Sequence, residues 1–102
     1  MNILLVSSTS LASNVLANKI EDASKMQGRV DKIMTIGQTD ISKKIKWCDV
    51  ILLCPQMKNL LHKIEPLAKK YKTPLYKITL EQYKNSDGGT ILQCAKDTLA
   101  KV

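Results

Sequence analysis

Asn2-Ile-Leu-Leu-Val-Ser-Ser-Thr-Ser-Leu-Ala-Ser-Asn14 is the stretch that decides the fold. Four successive aliphatic residues, Ile3 to Val6, with no polar alternation describe a strand covered on both faces, and such strands belong to parallel sheets flanked by helices. The run stops at Ser7. Small polar residues carry the chain to Ser13, from which Leu16, Ile20 and Ala23 recur at helical spacing, with Val15 and Lys19 on the flanks. Gly28 supplies the stop. Strand, short polar loop and helix form the unit from which α/β proteins are built.

The unit recurs downstream. Arg29 to Ile36 alternates as a second, more exposed strand ended by Gly37, and Thr39 is placed to cap a short helix carrying Ile41, Ile45 and Trp47. Val50 to Leu53 is a third, buried strand, stopped by Cys54-Pro55-Gln56. Met57, Leu60, Leu61, Ile64, Leu67, Ala68 and Tyr71 follow the helix template, in which Pro66 is expected to cause a kink or a break, and Thr73-Pro74 closes the segment. Leu75 to Ile78 reads as a fourth strand and Leu80 to Asn85 as a helical turn. Asp87 is placed to cap a last helix carrying Ile91, Leu92, Ala95, Leu99 and Val102. The expectation is a single-domain, three-layer α/β/α fold over residues 1–102, with a four-stranded parallel sheet and right-handed crossovers. No repeat, linker or low-complexity segment divides it.

Composition narrows the function. The chain has 102 residues, 44% of them hydrophobic, enough for one core. With no Phe and one Trp, it lacks the aromatic platforms of single-strand nucleic-acid binders. The net charge of +7 is carried by lysines spread through most segments, which reads as a solvated surface facing an acidic protein partner, not nucleic acid. No apolar run approaches the roughly 20 residues of a membrane span, and the apolar opening is too short for a signal peptide. Cys48, Cys54 and Cys94 form no C-x-x-C pair and have only His62 to help them, so no metal site is expected and a reducing cytoplasm suits them. No cofactor is expected.

In an open α/β sheet, ligands bind at the carboxyl ends of the strands, so the loops after Val6, Leu53 and Ile78 share a rim. Ser7, Ser8, Thr9, Ser10, Leu11, Ala12, Ser13 and Asn14 join a buried strand to a helix start, bringing free backbone N–H groups, hydroxyls and the positive helix end together, as a phosphate would require. The same residue types also make an ordinary capped turn. The loop has no glycine and no G-K-[ST] ending, so it is neither a nucleotide P-loop nor a dinucleotide fingerprint. Around it, Cys54, Pro55, Gln56 and Asp87 are possible rim residues. Cys54 reads first as packing, Gln56 as a possible donor to a phosphoryl group, and Asp87 as a cap ahead of Gly88 and Gly89. His62 reads as a solvated helix residue and Trp47 as packing.

Three segments carry a family resemblance. Ile3-Leu-Leu-Val-Ser-Ser-Thr-Ser-Leu-Ala-Ser13, Cys48-Asp-Val-Ile-Leu-Leu-Cys-Pro-Gln56 and Tyr83-Lys-Asn-Ser-Asp-Gly-Gly-Thr-Ile-Leu92 resemble, in order, parts of the IIB component of the lactose/cellobiose (chitobiose) branch of the bacterial sugar phosphotransferase system. They correspond to its strand ending in Cys, its third strand ending in Pro-Gln, and its Tyr followed by Asp-Gly and a last helix. The resemblance implies a flavodoxin-like or low-molecular-weight phosphatase topology. It also implies a cytoplasmic, monomeric carrier that takes a phosphoryl group from the histidine of a IIA protein and passes it to a sugar held by the membrane IIC component.

The family's carrier cysteine is Ser7 here. A thiol of pKa about 8.5 yields a usable thiolate at a helix start, whereas an alcohol needs an adjacent base, and no base is evident, so Ser7 is expected to block the relay. An engineered Cys→Ser change made for a stable sample accounts for this more readily than a natural variant that kept only docking or signalling. Two other classes share the loop geometry. A flavodoxin-like FMN module would need aromatics to cover the ring, and a phosphatase would need a Cys and an Arg where Ser7 and Asn14 stand.

Overall fold

β1 (Asn2–Val6) runs between β2 (Lys32–Ile36) and β3 (Val50–Leu53), and β4 (Leu75–Lys77) completes a sheet of order β2-β1-β3-β4 in which every pairing is parallel. This computed structural model describes residues 1–7, 11–37 and 41–101, with backbone alone at 11 and 12. The aliphatic run of β1 is where the chain predicts it: Ile3 to Val6 are 0% exposed, and Val50 to Leu53 are equally inaccessible. Val6 lies opposite Ile36 on one side and Leu53 on the other, so the ends of the two central strands are level.

The sheet order assigns the helices to their faces. The chain leaves β1 in one direction to form β2, then crosses back over β1 to β3 and continues to β4. Right-handed crossovers therefore put α1 (Leu11–Met26) on one face and α2 (Ile41–Lys44) with α3 (Leu61–Lys70) on the other. α4 (Leu80–Lys84) follows β4, and α5 (Gly88–Ala100) packs along α1. Leu16 and Ile20 of α1, Ile41 of α2, Ile64 and Ala68 of α3, and Ile91, Leu92 and Ala95 of α5 join the strands in one buried cluster. The radius of gyration, 12.3 Å, is close to the ~13 Å of a compact chain of this length.

Several boundaries differ from the sequence expectation, each for a local reason. α1 begins at Leu11, not Ser13, so Leu11 to Asn14 form its first turn and not a loop. β2 starts at Lys32 because Asp31 is drawn into a polar knot: its carboxylate accepts hydrogen bonds from the Met1 ammonium (2.8 Å), Ser24 Oγ (2.8 Å) and Arg29 Nε (2.9 Å). Pro66 does not divide its helix, because α3 runs through it from Leu61 to Lys70. Pro66 is exposed near the middle of the helix, where the N–H it lacks would have bonded a carbonyl one turn earlier, in reach of water. The division falls earlier, where a 3-10 segment, Pro55–Leu60, precedes α3. β4 ends at Lys77, although Ile78 N still donates to Leu53 O at 2.9 Å.

The predicted turn at Leu80 to Asn85 is α4, held by a capping box. Thr79 Oγ1 accepts from Gln82 N, and Gln82 Oε1 accepts from both Thr79 N and Tyr76 OH. Gly28, at φ +69°, ends α1 in the left-handed conformation that favours glycine. Thr39 and Val102, expected as a cap and a core residue, lie outside the described residues.

Candidate functional site

β1 and β3 end side by side at the point where the strand order reverses, the crevice in which open α/β sheets bind their ligands. Ser7 N donates to Ile36 O (3.0 Å) and Cys54 N to Val6 O (3.1 Å), so both residues prolong the ladder by one bond and then leave it. Ser7 and Cys54 thus flank each other at the strand ends, as the doubly wound order predicts. Each is 1% exposed.

Ser7 Oγ is buried and has no hydrogen-bond partner among the described residues. Leaving a hydroxyl in that state costs on the order of 1–3 kcal/mol relative to a satisfied one. A thiol, which packs as a small apolar group, carries no such cost. Four residues on from Ser7, at Leu11, α1 starts, a helix of 16 residues. The N–H groups of Leu11 to Asn14 belong to its first turn, at the positive end of the helix dipole. Ser13 is buried and Asn14 exposed. Ser8, Thr9 and Ser10 lie outside the described residues.

Cys54 does not have the character of a nucleophile. Burial pushes its thiol up to about 12, so it stays protonated, and Pro55 directly follows it as the first residue of the 3-10 segment. Cys48 is in the same position, its thiol pushed up to about 11 by burial. Gln56 is exposed and, with Cys54 and Pro55, lines a cleft of about 660 Å³ that runs to Lys77, Thr79 and Leu80 at the end of β4. Ser7 is not among the residues lining it.

Asp87 is occupied as a cap, accepting from Thr90 N at 3.2 Å. Its neighbour Gly88 is buried against the backbone of Lys19 and Ile20, where a Cβ would run into the Lys19 carbonyl. Lys19 is eight residues into α1, about 12 Å from the helix start, which sets Asp87 beside the middle of α1, away from its N-terminus. The sequence places the two glycines alike after the Asp87 cap, with nothing to tell them apart. Gly88 is instead required by the close approach of α1 and α5, a tertiary contact with no local signal.

His62 is exposed, and among the described residues no three His, Cys, Asp or Glu side chains come together as a metal would need. Trp47, Tyr71, Tyr76 and Tyr83 all pack partly buried against the core, so none stands free to cover a flavin. No helix among the described residues is long and apolar enough to cross a membrane. The Asp31 knot was not anticipated, because its partners are brought together only by the fold. The capping box, Thr79-Leu-Glu-Gln82, was legible as T-x-x-Q and was missed.

The comparisons agree with this geometry. The sequence matches the family described as the lactose/cellobiose-specific IIB subunit of the phosphotransferase system over residues 2–93. Among solved structures, the lactose-specific IIB domain of Streptococcus pneumoniae superposes with a TM-score of 0.85 at 16% identity, over 96% of each chain. The cellobiose-specific IIB component of Borrelia burgdorferi also reaches 0.85, at 29% identity, covering 99% of this chain and 93% of that one. No curated protein sequence matches. With the fold, the strand-end crevice and a family match spanning nearly the whole sequence in agreement, this chain belongs to the lactose/cellobiose-specific IIB family of the phosphotransferase system.

Proposed function

We propose that position 7 is the phosphoryl-carrying position of a IIB relay and that Ser7 interrupts the relay in this chain. In the reading with a cysteine there, the thiolate attacks the phosphorus of a IIA phosphohistidine. The P–N bond breaks, the imidazole keeps its electron pair, and the phosphoryl group rests against the first turn of α1. A hydroxyl of a sugar held by the membrane IIC component, of β-glucoside, cellobiose, chitobiose or lactose type, then displaces the sulfur. The residues from Ser7 to Asn14 supply the anion cradle, and Gln56 stands at the rim as a further donor.

The observation that carries the reading is the buried hydroxyl of Ser7, without a partner among the described residues, at the end of β1 and four residues ahead of Leu11, where α1 starts. It occupies a place suited to a thiol, and among the described residues no base is hydrogen-bonded to it. The neighbouring thiol does not substitute, since Cys54 is held protonated by burial. A monomer in the reducing cytoplasm fits three unpaired cysteines.

The test is transfer of radioactive phosphate from phosphorylated IIA. The chain with Ser7→Cys is expected to take up label that is lost on alkylation of the new thiol, and the Ser7 chain is expected to remain unlabelled. A Ser7→Cys chain that stays unlabelled while folded overturns the proposal.

A further inference from the structure

The net positive charge of this protein is confined to one continuous part of the chain. Residues 41–77 hold nine lysines against two acids, Asp49 and Glu65, a surplus equal to the whole net charge of +7. The remaining residues hold seven basic and seven acidic groups and balance. The charged part is α2, β3, the 3-10 segment, α3 and β4, whose two α-helices share one face of the sheet, while neutral α1 and α5 share the other. All nine lysines are exposed. Among the described residues, both ion pairs go to Asp31 and neither involves this face. Lys46, just after α2, and Lys70, at the end of α3, lie over the same Tyr71 ring at 5.7 and 5.6 Å, which joins the two lysine groups into one surface.

Lysines in the last turn of a helix are favoured by its dipole, which accounts for a pair on each helix but not for a face with a surplus of seven charges. We propose that the α2/α3 face adsorbs to an anionic lipid surface. The residue types favour lipid over the alternatives. Protein interfaces need a desolvated apolar or aromatic centre, and the exposed large apolar side chains, Val15, Met26, Val30 and Leu80, all lie outside residues 41–77. Phosphate recognition in nucleic acids favours the Arg fork and stacking rings, and residues 41–77 have no Arg, while their aromatics, Trp47, Tyr71 and Tyr76, pack partly buried against the core. Lysine point charges without geometry are what a fluid anionic headgroup layer requires.

The orientation is compatible with relay chemistry without depending on it. With the α2/α3 face down, the strands lie parallel to the bilayer, and the rim holding Ser7 opens sideways along the membrane. Sedimentation with phosphatidylcholine vesicles, with and without phosphatidylglycerol, tests the proposal. The chain is expected to sediment with the anionic vesicles only, and to be released by salt. Charge reversal at Lys43, Lys44, Lys69 and Lys72 is expected to weaken binding by more than about tenfold, each lysine near such a surface being worth about fivefold. Reversal at Lys19, Lys25, Lys84 and Lys101, identical in net charge, is expected to retain most of the binding. Lys→Gln changes at the same four positions of the charged face give the same reading should the reversed chain melt early. Equal loss in both variants, equal binding to neutral vesicles, or capture of polyglutamate or duplex DNA with no binding to anionic vesicles overturns the proposal.

Discussion

Ser7 puts a hydroxyl in a place where nothing among the described residues answers it. Because a thiol tolerates such a site and a hydroxyl does not, Ser7→Cys is expected to stabilise the fold by about 1 kcal/mol, read as a rise in the urea midpoint at unchanged slope. Asp31 is the opposite case, a buried carboxylate with every need met. Burial alone would push its carboxyl up, but hydrogen bonds from Arg29, the Met1 ammonium and Ser24 outweigh that and hold it well below the ordinary carboxylate range. A depressed folded-state value means that its contribution is complete above the unfolded value of about 3.9 and is lost as pH falls through and below it. Asp31→Asn is expected to cost about 2 kcal/mol at neutral pH. It is also expected to flatten the acid side of the stability curve, measured by urea unfolding across that range.

At the scale of elements, the packing of α5 on α1 turns on a single missing side chain. Gly88→Ala drives a methyl into the Lys19 carbonyl and is expected to cost about 1–3 kcal/mol. Gly89, one residue on in the same helix turn, has nothing within 4 Å of the added carbon, so Gly89→Ala is expected to be neutral or to stabilise by about 0.5 kcal/mol. Thermal melts of the two variants give the comparison, and like effects in both would mean that the close approach is not what selects glycine. α3 teaches a related point. The proline that periodicity flags as a breaker sits at an exposed position of a continuous helix, while the true discontinuity comes where Pro55 opens a 3-10 segment. A proline's effect depends on which carbonyl it orphans and whether water reaches it.

For the molecule as a whole, the one-sided charge has a consequence for stability as well as docking. Nine lysines in one part of the chain repel each other through solvent, and screening relieves that repulsion, whereas the buried Asp31 pairs are screened much less. Moving from low salt to salt well above physiological is expected to raise stability on the order of 1 kcal/mol. A melting temperature that falls with salt would show that ion pairs, not repulsion, dominate the surface. The spread of lysines along the sequence concealed this asymmetry. The surplus is a run along the chain, residues 41–77, and the crossover pattern, which sends α2 and α3 to one face, turns it into a charged side.

The fold class was determined by the sequence, because two runs of four aliphatic residues, Ile3 to Val6 and Val50 to Leu53, are too short for buried helices, stop abruptly at turn residues and alternate with helical patterns, as central strands of a covered parallel sheet do. The strand-end position of Ser7 followed from the same runs, since the point where apolar residues stop is where the chain leaves the core. Only the tertiary structure decided that the Ser7 hydroxyl is sealed from water, that Cys54 beside it is too deeply buried to ionise, that Gly88 is a close contact with α1, and that Asp31 ties the Met1 ammonium and Ser24 together with its near neighbour Arg29. Each of these is a property of neighbours far apart in the chain, and burial, desolvation and close approach exist only once those neighbours have met.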